Sequence, residues 1–463
     1  MSLREQMLGE AQVLNVLEDA LRHSGADQTE IVLEATQRGV TRYANNLIHQ
    51  NVFEADTRVA VRAVVGQASA RAFTNDLTPT ALQTAIEAAT AAARLQPPND
   101  HFIGLPDPMV RPAQDVVPPT LFLATADQSP AERAALVRVI IAASAAAGYV
   151  AFGTAITDLT ELAVVSSTGV RSYASATSAY LRALVDNGQG TGYADALVRD
   201  AALLQPGAIA AEAIAKCRLN QHQIELPPGD YAAILEPDCV ADFVRFPVLY
   251  GMGADAVERG SSFMAGKWGE AVTGPLVTLW DDPLDPACLP MPIDYEGMPA
   301  QRIDLITAGI ARGMADDSAT AARRTPATLS NGHAASPWEG NGPLPEHVLM
   351  AGGTATADDL TRDLDRGLRI TRLHYTHCPD AKRVVATGTT RDGTFLVENG
   401  SIVAAVKNLR LTQPVLELLA SIEAVGQTKP CRDWWAANGM GTTTYVLPTL
   451  RVGRCTVTGV TTF

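Results

Sequence analysis

The chain has 463 residues, 47% hydrophobic and 19% charged, with a formal net charge of −14. That length buries the cores of roughly two or three domains, and the acidic balance argues against direct nucleic-acid binding, which leaves a basic footprint. No apolar run of about 18 residues is present to cross a membrane, the opening MSLREQMLGEAQ lacks the apolar centre of a signal peptide, and six cysteines without a CxxC pair read as free thiols of a reducing cytoplasm.

Apolar positions at Met7, Leu8, Ala11, Leu14, Leu17 and Leu21 predict a first helix, ended by Ser24-Gly25. Alternation at Ile31, Leu33 and Ala35 predicts a strand. Val59 to Val65 and Ala68 to Phe73, joined by Gly66-Gln67, predict a hairpin. Pro79 opens an alanine-rich helix to about Leu95. Residues 97–119 hold seven prolines and read as a linker or a surface crossing. Pro130 opens a second helix to about Ala147. Strands are expected over Tyr149–Ala155, Glu161–Ser167, Val170–Val185 and Thr191–Leu197, with Asp186-Asn187-Gly188 as a turn, and then a helix over Pro206–Arg218. The order helix, strands, helix thus occurs twice, in 1–95 and 130–218. It reads either as a duplicated layer or as one larger domain. Composition shifts at Leu226-Pro227-Pro228-Gly229 toward short β-like segments, interrupted by three helices near Cys239–Tyr250, Ala357–Arg366 and Pro414–Val425. The expected fold is α+β. An N-terminal α/β layered domain, 1–224, precedes a mainly β, barrel-like domain, 225–463.

Several segments bear on chemistry. Thr41–Gln50 reads TRYANNLIHQ. Gly260–Glu270 reads GSSFMAGKWGE, Pro275–Asp282 reads PLVTLWDD and Asp294–Arg302 reads DYEGMPAQR. GTTRDGTFLVENG (Gly388–Gly400) and PTLRVGRCTVTG (Pro448–Gly459) follow. In this order the segments resemble the TldD/PmbA family, proteins linked to metal-dependent proteolysis and, by name, to modulation of DNA gyrase, and the resemblance implies a short strand over TRYANNLIHQ. In the zinc-bearing branch the resemblance implies HExxxH on the helix before GSSFMAGKWGE. Here the same positions hold Arg245, Phe246 and Tyr250. A guanidinium offers no lone pair to a metal, and a phenyl ring accepts no proton. The chain therefore resembles the PmbA, or TldE, branch.

That resemblance implies a subunit without catalytic residues or metal of its own, inactive alone. Zinc is expected in a TldD-like partner, or else the chain forms a homodimer. The substrates would be small or unfolded peptides, in the cytoplasm. A vestigial cleft is expected from Arg245, Phe246, Tyr250, Ser261, Ser262, Lys267 and Arg302, with Arg245 taking a carboxylate in place of a metal.

Three other readings compete. An independent metallopeptidase with a relocated metal site would use His374, His377 or Cys378 of HYTHC; on a regular strand His374, Thr376 and Cys378 share a face, with Cys431 or His333 as a third ligand. A metal-free hydrolase finds no GxSxG motif in the sequence. A regulatory binding protein is the third. Asp281-Asp282 and Asp294/Glu296 read more naturally as turn caps than as a cation site. Trp434-Trp435 reads equally as a docking surface or as a plug at a barrel end.

Overall fold

A computed structural model describes residues 2–110, 116–324, 329–340, 342–432 and 443–461. Its N-terminal part is an antiparallel six-stranded sheet of β1 (Gln28–Ala44), β2 (Leu47–Val65), β3 (Ala68–Thr74), β4 (Val150–Ser166), β5 (Arg171–Asp186) and β6 (Thr191–Val198). The spatial order is β3-β2-β1-β4-β5-β6, so each three-stranded unit runs outward from a central β1–β4 pair. Asn45 and Asn46 both adopt positive φ, which makes the β1–β2 link a tight hairpin turn rather than the continuous strand expected of TRYANNLIHQ.

Period-2 alternation sends the strands' residues to different cores. Ile31, Leu33, Ala35, Val59 and Val61 pack under α1 (Glu10–Leu21) and α2 (Pro79–Leu95). Further along, α3 (Leu123–Ala126) is a single turn, and α4 (Pro130–Ala146) with α5 (Pro206–Leu219) covers Ala151, Ala155, Leu181 and Val185. Ser129 and Glu132 form a reciprocal capping box that starts α4. On the opposite face, Val32, Leu162, Val164 and Ala174 meet Met291, Tyr295 and Met298 from far downstream. The sheet is therefore buried on both sides.

β4 is one strand of 17 residues where two were expected. The interrupting residues Thr157 and Asp158 are buried, but each is satisfied. Arg133 donates to Thr157, and Arg38 Nε donates to Asp158 over 2.5 Å.

The second sheet contains β7 (Gly229–Leu235), β8 (Leu279–Asp281), β9 (Ile303–Thr307), β10 (Ile310–Ala311), β11 (His347–Met350), β12 (Arg366–Asp380), β13 (Val385–Glu398), β14 (Ser401–Ala405), β15 (Leu409–Pro414), β16 (Ile422–Arg432) and β17 (Thr444–Val460). Pairings β7–β12, β12–β13, β13–β15, β15–β17 and β17–β7 form a closed circuit, so these five strands make a barrel. Helix α6 (Pro237–Gly251) shares the barrel core through Phe243, Val244, Phe246 and Val248 with Leu368, Ile370, Leu411 and Leu450. Pro237 sits in its first turn, where a missing N–H costs nothing. Two short helices go beyond the three expected here, α7 (Ala254–Glu258) and α8 (Ser318–Arg324). Downstream, α9 (Ala357–Arg362) and α10 (Val415–Ala420) are both shorter than their sequence pattern suggested. Beyond α10, Ile422 to Arg432 pairs with β17 instead of continuing the helix. Among the described residues no helix is long and apolar enough to cross a membrane.

Candidate functional site

Helix α6 places Asp238, Asp242 and Arg245 on one side, at helical spacing. Phe246 lies in the core, 3% exposed, and its ring stacks parallel to Tyr250 with centroids 6.4 Å apart. Arg245 lies over the Phe246 ring at 5.2 Å and lines a small recess with Asp238, Asp242, Arg372, Arg432 and Tyr445. The three positions expected to correspond to HExxxH thus hold a cation and two stacked aromatics. The neighbouring carboxylates already have partners. Asp238 accepts from Lys429 Nζ at 2.8 Å, and Asp242 accepts from the Leu373 N–H at 3.0 Å. Arg245, Phe246 and Tyr250 do not fit zinc, since the metal needs lone-pair donors converging on one point.

The other expected cleft residues are dispersed. Ser261 donates to the Ala256 carbonyl at 3.1 Å. Ser262 donates to the Gly251 carbonyl at 2.5 Å and accepts from the Met264 N–H at 2.9 Å, which is turn chemistry beyond the end of α6. Lys267 is exposed. Arg302, also exposed, pairs with Asp304 at 3.1 Å and lies over the Trp280 ring. Of these residues, Arg245 alone lines the recess.

The HYTHC segment differs from a regular strand. The β12–β13 register shifts between His374 and His377, and Tyr375 takes φ +55°. This bulge breaks the alternation, so Thr376 is buried while His374 and His377 are exposed. The expected common face of His374, Thr376 and Cys378 is lost. Cys378 Sγ donates to the Asp380 carbonyl. Cys431 Sγ turns to the Lys429 carbonyl, and His333 Nε2 pairs with Asp281 at 2.8 Å. Among the described residues no group of three His, Cys, Asp or Glu is placed to hold a metal. Trp434 and Trp435 lie outside the described residues.

Asp294 closes the DYEGMP turn, accepting from the N–H groups of Glu296, Met298 and Ala334 at 2.8–2.9 Å. Tyr295 reaches across to Glu34 of β1 at 2.7 Å. This segment docks a loop of the second sheet onto the first.

What the bulge builds is a cavity of about 510 Å³ between the sheets. β4, β5 and β6 supply Phe152, Arg182, Leu184 and Tyr193, α6 supplies Asp242, and β12 and β13 supply Arg372 to Thr376 and Arg391. Beside it runs a buried polar network. Tyr180 and Tyr193 both donate to Asp195 Oδ2, at 2.9 and 2.7 Å. Lys429 pairs with Asp195 and with Asp238. Arg372 Nε donates to Asp392 at 2.7 Å, and Thr191 donates to the same carboxylate. Burial works against charge on Asp195, but Lys429 and the two tyrosine hydroxyls outweigh it and hold its pKa low. Asp238 moves the other way, raised first by burial and then by Asp195. Burial also raises Asp242, to about 7, against the opposing Leu373 N–H and Arg372. A carboxyl that titrates near neutrality beside an arginine-lined cavity marks a functional-site candidate.

Sequence reasoning missed Arg182, Arg372, Arg391, Asp195 and Lys429. The usable signal was charge inside strands that are otherwise mostly buried. Arg372 and Asp392 are both such residues, in β12 and β13.

The fold and site together define a two-sheet protein in which one helix links a β-barrel to a polar seam against a helix-covered sheet. Its sequence relations are as specific. Residues 228–459 match the PmbA/TldA metallopeptidase C-terminal domain, and residues 29–93 match PmbA/TldA metallopeptidase domain 1. The chain belongs to the PmbA/TldD family. It is 27% identical over 220 residues to a protein named as a metalloprotease TldD homolog from Haemophilus influenzae. That match covers 47% of this chain and 45% of the relative, so the chain spans a little under half the length of the curated relatives it matches. The crystal structure of TldE from Thermococcus kodakarensis superposes with a TM-score of 0.85 at 20% identity, covering 96% of this chain and 100% of that one. A Thermotoga maritima protein described as a candidate modulator of a DNA gyrase gives 0.81 at 18% identity, covering 96% of this chain and 99% of its own. At these identities the two structures establish the shared fold.

Proposed function

We propose that this chain is the non-catalytic subunit of a zinc-dependent peptidase complex that acts on small or unfolded peptides. Zinc would be held by a TldD-like partner chain. The observation that carries this reading is the composition of α6. Its zinc-motif positions are filled by Arg245, by Phe246 buried in the barrel core, and by Tyr250 stacked on Phe246. A guanidinium and a hydrocarbon ring supply neither metal ligand nor general base. The chain's contribution would be to shape and line the peptide path.

The test is reconstitution. The chain expressed with a TldD-like partner copurifies with it, and the pair cleaves an unfolded peptide. The chain by itself neither cleaves that peptide nor holds equimolar zinc by atomic-emission analysis. Stoichiometric zinc and peptidase activity in the isolated chain would overturn the proposal.

A further inference from the structure

The cavity between the sheets has a chemistry of its own. Arg372 and Arg391 are Cα partners across the β12–β13 ladder, so two guanidinium groups start from directly opposed positions. Like charges placed that way repel. Arg372 is neutralised by Asp392. The Arg391 guanidinium makes neither a hydrogen bond nor an ion pair among the described residues, and it is exposed at the cavity wall. Arg182 enters from β5 on the other side. The imidazole of His374 is held below its usual pKa by partial desolvation first and then by Arg391 and Arg372. Apolar wall is supplied by Phe152, Leu184 and Leu373. Tyr375, also on the wall, keeps a left-handed backbone that a bulky residue adopts only when its surroundings impose it. It lies within the bulge that reshapes the strand beside the cavity.

We infer that this cavity binds a carboxylate attached to an apolar group, with Arg391 and Arg182 holding the anion and Phe152, Leu184 and Leu373 taking the apolar part. The dimensions and chemistry fit the terminal residues of a peptide with an apolar last side chain. Arginine is suited to the task, because its planar fork matches both carboxylate oxygens. The inference concerns binding by this chain alone and stands without the zinc partner, so failure of reconstitution would leave it intact.

The experiment is calorimetric titration of the purified chain with an acetylated tripeptide ending in leucine, as the free acid and as the C-terminal amide. A third peptide, amidated but carrying a glutamate side chain, identifies the source of the carboxylate. The free acid is expected to bind at least about tenfold more tightly than the leucine amide. Arg391→Gln is expected to reduce that affinity by about tenfold without lowering the thermal unfolding midpoint, since no hydrogen bond or ion pair of its guanidinium is lost among the described residues and its repulsion with Arg372 is relieved. Binding of the glutamate amide as tightly as the free acid would keep the carboxylate site and assign it to acidic side chains. Equal affinity for acid and amide, no binding of any of the three peptides, or indifference of the acid to Arg391→Gln would each overturn the inference. Arg182→Gln, with its circular dichroism checked, serves as a second variant and should weaken the acid but not the amide.

Discussion

Asp242 shows how one residue registers its surroundings. Its folded pKa of about 7 lies above that of an ordinary aspartate, because burial disfavours the carboxylate. The group costs the fold nothing below its unfolded value of about 4, where it is protonated in both states, and stability is lost as pH rises from there to about 7. Asp242→Asn keeps an oxygen for the Leu373 N–H and removes the charge. The variant should melt at a higher temperature than the parent at about pH 8.5, with the difference closing by about pH 4. Scanning calorimetry at both values checks this, and a gap that widens toward acid would contradict it. Lys429 is the complementary case. It joins carboxylates from both sheets' elements, and Lys429→Met leaves Asp195 and Asp238 without their shared cation. A cost of about 3 kcal/mol in denaturant unfolding is expected, smaller in acid, where a carboxyl takes up a proton.

At the scale of elements, α6 has two unlike faces. One fills the barrel with Phe243, Val244, Phe246 and Val248, while Asp238, Asp242 and Arg245 line the polar recess. Phe246→Ala should destabilise the fold by about 3–5 kcal/mol through lost burial and a residual void. Phe246→Glu should cost more, because it places a carboxylate in that apolar core. Urea unfolding of both variants separates a packing role from a dormant catalytic one; equal stability of the parent and Phe246→Glu would show that the position opens to solvent. The β12 bulge is the second decisive element. It buries Thr376 and leaves His374 at the cavity, an arrangement that simple alternation does not anticipate.

At the scale of the whole molecule, the two sheets are joined by polar ties and by a shared core. Thr191 bonds Asp392, Tyr295 bonds Glu34, and Lys216 Nζ reaches Glu236 at 2.6 Å. Met291, Tyr295 and Met298 complete the apolar packing on the first sheet's open face. Such coupling predicts that both sheets unfold together. All five tryptophans lie between positions 268 and 435, and Trp338 packs against the first sheet, so their fluorescence follows the C-terminal part and its seam with that sheet, whereas far-ultraviolet circular dichroism follows both sheets as wholes. Coincident urea transitions by the two probes are expected. A fluorescence transition separated from the dichroism transition would show that the ties are too weak to couple the sheets.

The chain's order of elements was legible from its residues, because periodicity and turn chemistry are local. Pro79 and Pro130 start helices where expected, and Gly66-Gln67 turns the hairpin. The family was legible as well, since its segments survive as short strings. That Arg245 and Phe246 offer no donor to a metal needed no coordinates to be read. The cavity is different. Arg182, Asp242 and Arg391 are far apart in the chain and meet only because β5, α6 and β13 converge on one seam. The closure of β7 against β12 and β17 is equally non-local. Local patterns set which residues are helical, extended or turned, but burial and charge pairing are decided by what the fold brings alongside. That is why Ser262 became a turn cap, Lys267 a surface residue, and Asp242 a carboxyl poised near neutrality.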